Sequence, residues 1–560
     1  MKNLYKYIGG MASILFGLTA CYDDKGNYDY HDINEVVVEI PETMIRLDRT
    51  GSVELVVEPD LKQTIVQNED ALRYKWYVGS KNAYMICDEP MEECTEDSHF
   101  HFYTEDKVFR MSLESSFQGS IALLLEITDM VTDTKYYQKH PIKVVHPFSD
   151  TWFVLQSENG KGKLGAVDGI REDAMLFDDI FKSEFNTSFP MEGEPRSIDC
   201  RHFYGPDFFM SGPPNMPVTE PMMVMRTNKD LRLVYPTTLE AKYGIEELLI
   251  VGAMTDKETN WDTKLYTNSN YGELVYDQGK LWHAMVDGYA VYYRVLDSET
   301  KKQMNTPWVA ELGFAFIVYD EEKKCFRRFT YEEMDSFNIS YYVTGSLRRN
   351  PDKFIDYAGE GKKIAYPLES NGEFFDPNDI SKDMGENMKM CCMLSNGGRA
   401  MAIATLGGQA VTIFEFSNAA EPCTGKYELN LPAPADQCKF IAAHAYDRIF
   451  FVAAGNALYK VDLNRQTPIL NKIYEHENTA AVIDALKFKE KCVPYGWDTE
   501  NVMNKYQMQL GLGVNMPDGT GSVVDLVLTS AGDVNRAEGS IYEYPGFGRI
   551  VDIAYNYGDE

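Results

Sequence analysis

The densest run of residues able to hold a ligand lies between Thr255 and Val295. Trp261, Tyr266, Tyr271, Tyr276, Trp282, Tyr289, Tyr292 and Tyr293 are interleaved there with Asn260, Asn268 and Asn270. Trp and Tyr offer flat apolar area with a polar edge, and Asn adds hydrogen bonds. That mix suits a sugar ring or a peptide backbone. Tyr276 and Trp282 fall on strand-like sequence and read as core. Trp261, Tyr266 and Tyr271 fall on loop-like sequence and are the candidates for ligand or partner contact. Reactive groups are harder to find. No Gly-x-Ser-x-Gly elbow is present. Gly160-Lys161-Gly162-Lys163 and Gly359-Glu360-Gly361-Lys362 lack the leading glycine and the trailing Ser or Thr of a phosphate loop, so both read as loop lysines. His99-Phe100-His101 puts two imidazoles on one strand face, with no third metal ligand at a familiar spacing. Asp376-Pro377-Asn378-Asp379 opens like a calcium loop, but Ile380 stands at the fifth position and the sixth is not Gly. Asp376 reads instead as a turn or helix cap. No metal site and no catalytic residue is assigned.

The elements that must position these residues are strands. From 34 to 148 the sequence shows short period-two runs: Val36 to Ile40; Val53, Leu55 and Val57; Tyr74, Trp76 and Val78; Leu123, Leu125 and Ile127; Ile142 and Val144. About a hundred residues of such strands around one Trp predict an immunoglobulin-like sandwich. From 149 to 560 hairpins continue. Ile449 to Ala454, Gly455-Asn456 and Ala457 to Leu463 read as strand, turn, strand, and Ala400 to Leu406 with Ala410 to Phe416 repeats the plan around Gly407-Gly408. Leu239 to Leu249 is the one stretch that predicts a short helix. The fold class is therefore all-β. Roughly 410 residues of meander avoid open edges best as a β-propeller of about seven or eight blades. Two stacked β-sandwiches are the alternative.

Composition narrows the function classes. The chain carries 54 basic and 86 acidic side chains, a net charge of −32. That balance repels phosphate backbones and argues against nucleic-acid binding. At 44% apolar residues, with 36 Tyr and 29 Phe, 560 residues can bury more than one core. The ten cysteines form no disulfide framework; Cys87 and Cys94 are close enough to close a small loop, or stay free and buried.

The N-terminus supplies an address. Lys2 and Lys6 precede an apolar stretch from Ile8 to Leu18, too short to span a bilayer and shaped like a secretory signal. The run Leu18-Thr19-Ala20-Cys21 resembles the lipobox of bacterial lipoproteins, in which cleavage before the cysteine precedes its lipidation. The resemblance implies a signal peptide over 1–20 and an N-terminal lipid on Cys21 as the only attached group. Asp23 and Asp24 resemble the acidic surface-export signal of Bacteroidetes lipoproteins. They imply an outer-membrane protein facing outward, with 21–33 as an acidic tether.

A second resemblance covers about the first quarter of the chain. Gly26-Asn27-Tyr28-Asp29-Tyr30, then Tyr74-Lys75-Trp76-Tyr77-Val78-Gly79 and a late Ile127-Thr128-Asp129, are similar to the PKD-like surface lipoproteins of Bacteroidetes. Those accompany SusC/SusD-type importers. The resemblance implies a non-enzymatic accessory subunit beside a SusC-like barrel and a SusD-like lipoprotein, helping to capture oligosaccharides or peptides. A free-standing surface glycan-binding protein is the alternative, and a surface hydrolase the third reading.

Overall fold

The computed structural model describes residues 35–41, 43–47, 52–65, 67–87, 98–114, 117, 121–169, 171–204, 219–244, 263–269, 272–277, 279–284, 292–312, 315–330, 362–396, 398–489 and 508–557. The chain divides into two compact units, one ending at Val145 and the other beginning at His146. It is predominantly β, and no helix among the described residues is long and apolar enough to cross a membrane.

The first unit is built on a six-stranded sheet. Its order is Thr43–Arg46, Thr134–Val145, Ile121–Asp129, Leu72–Gly79, His99–Thr104, Met85–Cys87. Period-two patterning puts Trp76, Leu123, Leu125 and Ile127 on one face. They share a core with Leu55 and Val57 of Ser52–Val57 and with Phe109 and Leu113 of Phe109–Glu114, two strands paired to each other. Trp76 is fully buried and meets Phe109 at 5.5 Å between ring centroids. Its indole N–H donates to the carbonyls of Asp106 and Lys107, so the polar edge of the ring is not stranded. Cys87 is disulfide-bonded, to a residue outside those described.

The second unit repeats one plan: four strands in antiparallel meander. Modules 5, 6 and 7 begin at Lys389, Cys438 and Val482 and end at Asn430, Glu475 and Phe547. Module 2 runs from Pro195–Tyr204 to Ala241–Gly244. Modules 3 (Thr263–Ser269 to Tyr292–Asp297) and 4 (Val309–Leu312 to Lys362–Pro367) join through parallel pairing of their last strands, and the resulting eight-stranded sheet is the one that curls. Module 1 is discontinuous. Thr151–Glu158, Lys161–Asp168 and Met175–Phe177 come from the start of the unit, and its fourth strand, Ile550–Asn556, from the end.

Each module buries both faces, so its middle strands are apolar at nearly every position. Ile449–Ala454 and the interior of Ala410–Ser417 are buried throughout. In module 6 the alternation assigns neighbours: Phe450 and Val452 pack with Met401, Ile403 and Ile413 of module 5, whereas Phe451 and Ala453 pack with Leu510, Leu512 and Val524 of module 7. Modules 4 and 5, 7 and 1, 1 and 2, and 3 and 4 share cores in the same way. The expected helix over Leu239 to Leu249 is not what forms. Leu239 and Glu240 are not helical, Ala241–Gly244 is a strand because Leu231–Val234 offers it an edge, and 245–249 lie outside the described residues.

Ionic side chains stitch neighbouring modules. Asp297, at the end of module 3, accepts from Arg327 Nε at 3.0 Å and Lys323 Nζ at 2.9 Å, both on module 4. Burial alone would raise the Asp297 carboxyl, but hydrogen bonds from Lys323, the Thr300 backbone, Arg327 and the Thr300 hydroxyl outweigh it and hold it well below the usual range. Glu415 of module 5 takes Arg448 of module 6 at 2.9 Å. Lys460 of module 6 reaches Asp533 of module 7 at 2.6 Å. Lys489 bonds Asp525 at 2.7 Å in module 7 while lying 4.3 Å from the Tyr555 ring of module 1.

Asp297→Ala removes the buried partner of the Arg327 guanidinium, which keeps only the exposed Glu299 carboxylate at 2.8 Å and Asn378. It should cost about 3–5 kcal/mol in urea unfolding at pH 7. Because the folded-state carboxyl titrates low, its contribution is full above about pH 4 and is lost as pH falls. The gap between wild type and variant should therefore close on acidification.

Candidate functional site

Of the sequence-derived candidates, Cys21, Asp23, Asp24, Trp261 and Tyr271 lie outside the described residues. Tyr266 sits on Thr263–Ser269, the first strand of module 3, in register with Val275. Loop-like sequence there has become strand. Tyr276 and Trp282 are core, as expected; the Tyr276 hydroxyl donates to Asn305 Oδ1 at 2.8 Å. The Asp376 segment is a turn, with Asp376 Oδ1 capping the Asn378 N–H and Lys382 Nζ bonding Asp376 Oδ2 at 3.0 Å. A lysine thus fills the place a cation would take. Gly160 belongs to the hairpin between Thr151–Glu158 and Lys161–Asp168, at a φ of 76° that favours glycine.

A charged cluster that the spacing of motifs did not reveal forms where three modules meet. Ile550–Asn556 packs beside Pro195–Tyr204 of module 2 and Val482–Phe488 of module 7. Each contributes one charge. Lys487 Nζ lies 3.6 Å from Asp199 Oδ1. Asp552 Oδ2 accepts the Ile198 N–H at 3.1 Å, and its Oδ1 accepts the Ile553 N–H at 2.9 Å. Asp199, Lys487 and Asp552 all keep partial exposure. The surrounding protein raises the Asp552 carboxyl above its ordinary value, against the pull of Lys487 and the two N–H donors. Nearby, Asn515 donates to Asp484 at 2.9 Å and to the Ile550 carbonyl at 2.8 Å, and accepts the Ile550 N–H at 2.7 Å. A sequence signal did exist. In Ser197-Ile198-Asp199-Cys200, Ala485-Leu486-Lys487-Phe488 and Val551-Asp552-Ile553, a single charge interrupts apolar strand residues.

This cluster presents acceptors, one ammonium donor and one carboxyl that holds its proton unusually well. It is equipped to hydrogen-bond hydroxyl-rich ligands. Two arrangements that suggest catalysis do not deliver it. Ser522 Oγ donates to Glu543 Oε1 at 2.6 Å and His476 Nε2 lies 3.3 Å from that same oxygen. The carboxylate therefore stands between hydroxyl and imidazole, whereas a nucleophilic relay needs the imidazole in the middle. His476 Nδ1 accepts the Asn478 N–H, so the neutral ring has no lone pair left for a serine. The free thiols are held protonated: burial pushes Cys325 and Cys423 up to about 12 and Cys391 to about 11. Among the described residues no group of three His, Cys, Asp or Glu side chains forms a metal site.

A model of the PKD-like family matches residues 21–195. The chain carries an N-terminal PKD-like domain. The match covers the first unit from Cys21 onward and continues through the first three strands of module 1. No curated protein matches the chain. Among solved structures, a quinonprotein alcohol dehydrogenase-like protein of Bacteroides thetaiotaomicron VPI-5482 aligns at 11% identity and a TM-score of 0.39, over 92% of this chain and 97% of that one. A DUF4784 family protein of Bacteroides caccae ATCC 43185 aligns at 9% and 0.28, over 94% and 100%. The apocarotenoid oxygenase of Synechocystis aligns at 10% and 0.26, over 91% and 97%. Likenesses this distant assign no activity.

Lys487→Met removes a cation that faces Asp199 and Asp552. Asp552 titrates above its unfolded value, so its contribution to stability is complete below about pH 4 and is lost as pH rises through the folded-state value. The variant should match wild type near pH 4 and fall behind by roughly 1 kcal/mol at pH 7 in urea unfolding.

Proposed function

We propose that this chain is a lipid-anchored surface protein that binds glycans and transforms nothing, with its second unit closed as a seven-bladed β-propeller. The observation that carries the reading is the fourth strand of module 1. Ile550–Asn556, from the far end of the unit, completes the sheet begun by Thr151–Glu158. Together with the cores shared by modules 1 and 2 and by each successive pair from 3 and 4 round to 7 and 1, that pairing favours a ring over two stacked sandwiches. The first strands of modules 2 to 7, with Ile550–Asn556 in module 1, then line the centre of the ring. Asp199 and Lys487 stand on such strands, and Asp552 on the strand that completes the first blade. The stacking candidates Trp261, Tyr266 and Tyr271 all belong to or flank module 3. Hydroxyl-bonding charges and aromatic rings on one ring-shaped scaffold are the two components a sugar site requires.

The address rests on Leu18-Thr19-Ala20-Cys21 followed by Asp23 and Asp24. A disulfide at Cys87 suits an oxidising compartment. The free-standing binder is preferred to the importer subunit because the features that favour it lie on this chain alone. A SusC-like barrel recovered in stoichiometric amounts with the native protein would reverse that preference.

Two experiments test the reading. Cys21→Ala should shift the protein from the outer-membrane fraction to the soluble fraction; unchanged retention removes the lipid anchor. Electrophoresis of the full chain through gels containing plant, fungal or host polysaccharides should show retardation by at least one of them. Trp261→Ala should weaken that binding about tenfold, in keeping with the loss of one stacking contact, while the melting temperature moves by no more than a few degrees. Release of reducing sugar from the retained polysaccharide would make the protein a hydrolase.

A further inference from the structure

The outward face of the six-stranded sheet in the first unit is basic, on a chain whose net charge is −32. Residues 35–145 carry 21 acidic and 11 basic side chains. The core face takes Leu72, Trp76, Leu123, Leu125, Ile127 and Ile142. The alternate positions form the opposite face, where Tyr77 and Ala122 are covered by Ala83 and Phe100 while Arg73, Lys75, Lys135, Tyr137, Lys139 and Lys143 are exposed. Strand register sets them in rows: Arg73, Thr128 and Lys135; Lys75, Glu126 and Tyr137; Tyr77, Leu124 and Lys139; then Lys143 beside Met44. Five of the eleven cations stand in these rows, and of the acids only Glu126. Glu126 is buried and spent on Lys135 at 3.1 Å. Lys139 bonds the carbonyls of Lys81 and Ala83, which neutralises no charge. Arg73, Lys75, Lys139 and Lys143 are exposed and have no acid within bonding distance among the described residues. Phe102, against Tyr77, and Tyr137 each keep 52% of their surface exposed on the same face.

We infer that this face docks on a membrane surface rich in phosphate-bearing lipid head groups. Three observations select that occupant. The charge is complementary to head-group phosphate, and each cation close to an anionic surface raises partition about fivefold. Two half-exposed aromatic rings beside the cations match side chains that settle at the head-group level. The unit also begins close to the proposed anchor. The 14 positions from Cys21 to Glu35 reach roughly 46–50 Å when extended, so the sheet can touch the surface to which the lipid holds it. The inference rests on the anchored reading for its biological setting, but the face can be assayed without the lipid.

The test uses the full chain carrying Cys21→Ala, which cannot be lipidated, in flotation with phosphatidylglycerol-containing or pure phosphatidylcholine vesicles at low ionic strength. Binding should favour the anionic vesicles at least tenfold and collapse in about 0.5 M NaCl. Lys75→Glu/Lys143→Glu should abolish that preference while leaving the melting temperature nearly unchanged, since neither side chain is buried. Equal partition to both vesicles, or undiminished binding of the double variant, overturns the inference. So does competition by soluble polyglutamate where vesicles fail to bind, which would assign the face to an acidic polypeptide. Because the assayed chain has no lipid, failure here leaves the Cys21 reading intact, and failure of Cys21→Ala to release the protein from cells leaves this one intact.

Discussion

The backbone pairing of Ile550–Asn556 with Thr151–Glu158 is the contact on which the second unit depends. A four-stranded antiparallel sheet has two open edges and two apolar faces, and none of them is stable alone. Stacking the modules face to face covers the faces, as Phe450 and Phe451 show by facing opposite neighbours. Stacking alone leaves a first and a last module with one bare face each. Bringing the end of the chain into the sheet at its beginning gives module 1 a covered face on both sides, with Trp152 and Val154 toward module 7 and Phe153 and Leu155 toward module 2.

Polar contacts then fix how far each module slides against the next. An apolar face tolerates small shifts; a buried ion pair does not, because misplacement leaves a charge without a partner. Asp297 with Arg327, Glu415 with Arg448, Lys460 with Asp533, and Lys489 between Asp525 and the Tyr555 ring occupy four different seams. Gly511 belongs to the same device. A side chain there would collide with the Trp152 ring, so a glycine lets module 7 close on module 1. Asp199, Lys487 and Asp552 add charges where strands of three modules meet.

Local order was legible in the sequence, and order between modules was not. Gly455-Asn456 and Gly407-Gly408 announced hairpins, and Leu123, Leu125 and Ile127 announced a core face. These follow from period-two patterning and turn chemistry, which act over a few residues. Leu239 to Leu249 misled because its apolar residues also suit a helix, and the edge of Leu231–Val234 decided for strand at Ala241–Gly244. Asp199 and Asp552 could not be singled out from 86 acidic residues, since what distinguishes them is a meeting of strands more than 350 positions apart. The basic face of the first unit was within reach. Lys135, Tyr137, Lys139, Pro141 and Lys143 alternate along one strand, but their meaning appears only when Arg73 and Lys75 stand beside them.

The module shared by both ends of the second unit also constrains how the protein is made. Asn556 Nδ2 donates to the Phe148 carbonyl across a separation of 408 residues. Contacts that distant form late, because the loop-closure entropy is lost before the contact returns any energy. The first module therefore waits, with an unpaired edge at Thr151–Glu158, until the last strand has been synthesised. The PKD-like unit has no such dependence, since its strand pairs all close before residue 146. On emergence it can fold at once, while the second unit stays incomplete and exposed to aggregation through that edge. A chain lacking only its final dozen residues should meet the quality-control machinery with its first module unfinished, however intact the rest of its sequence.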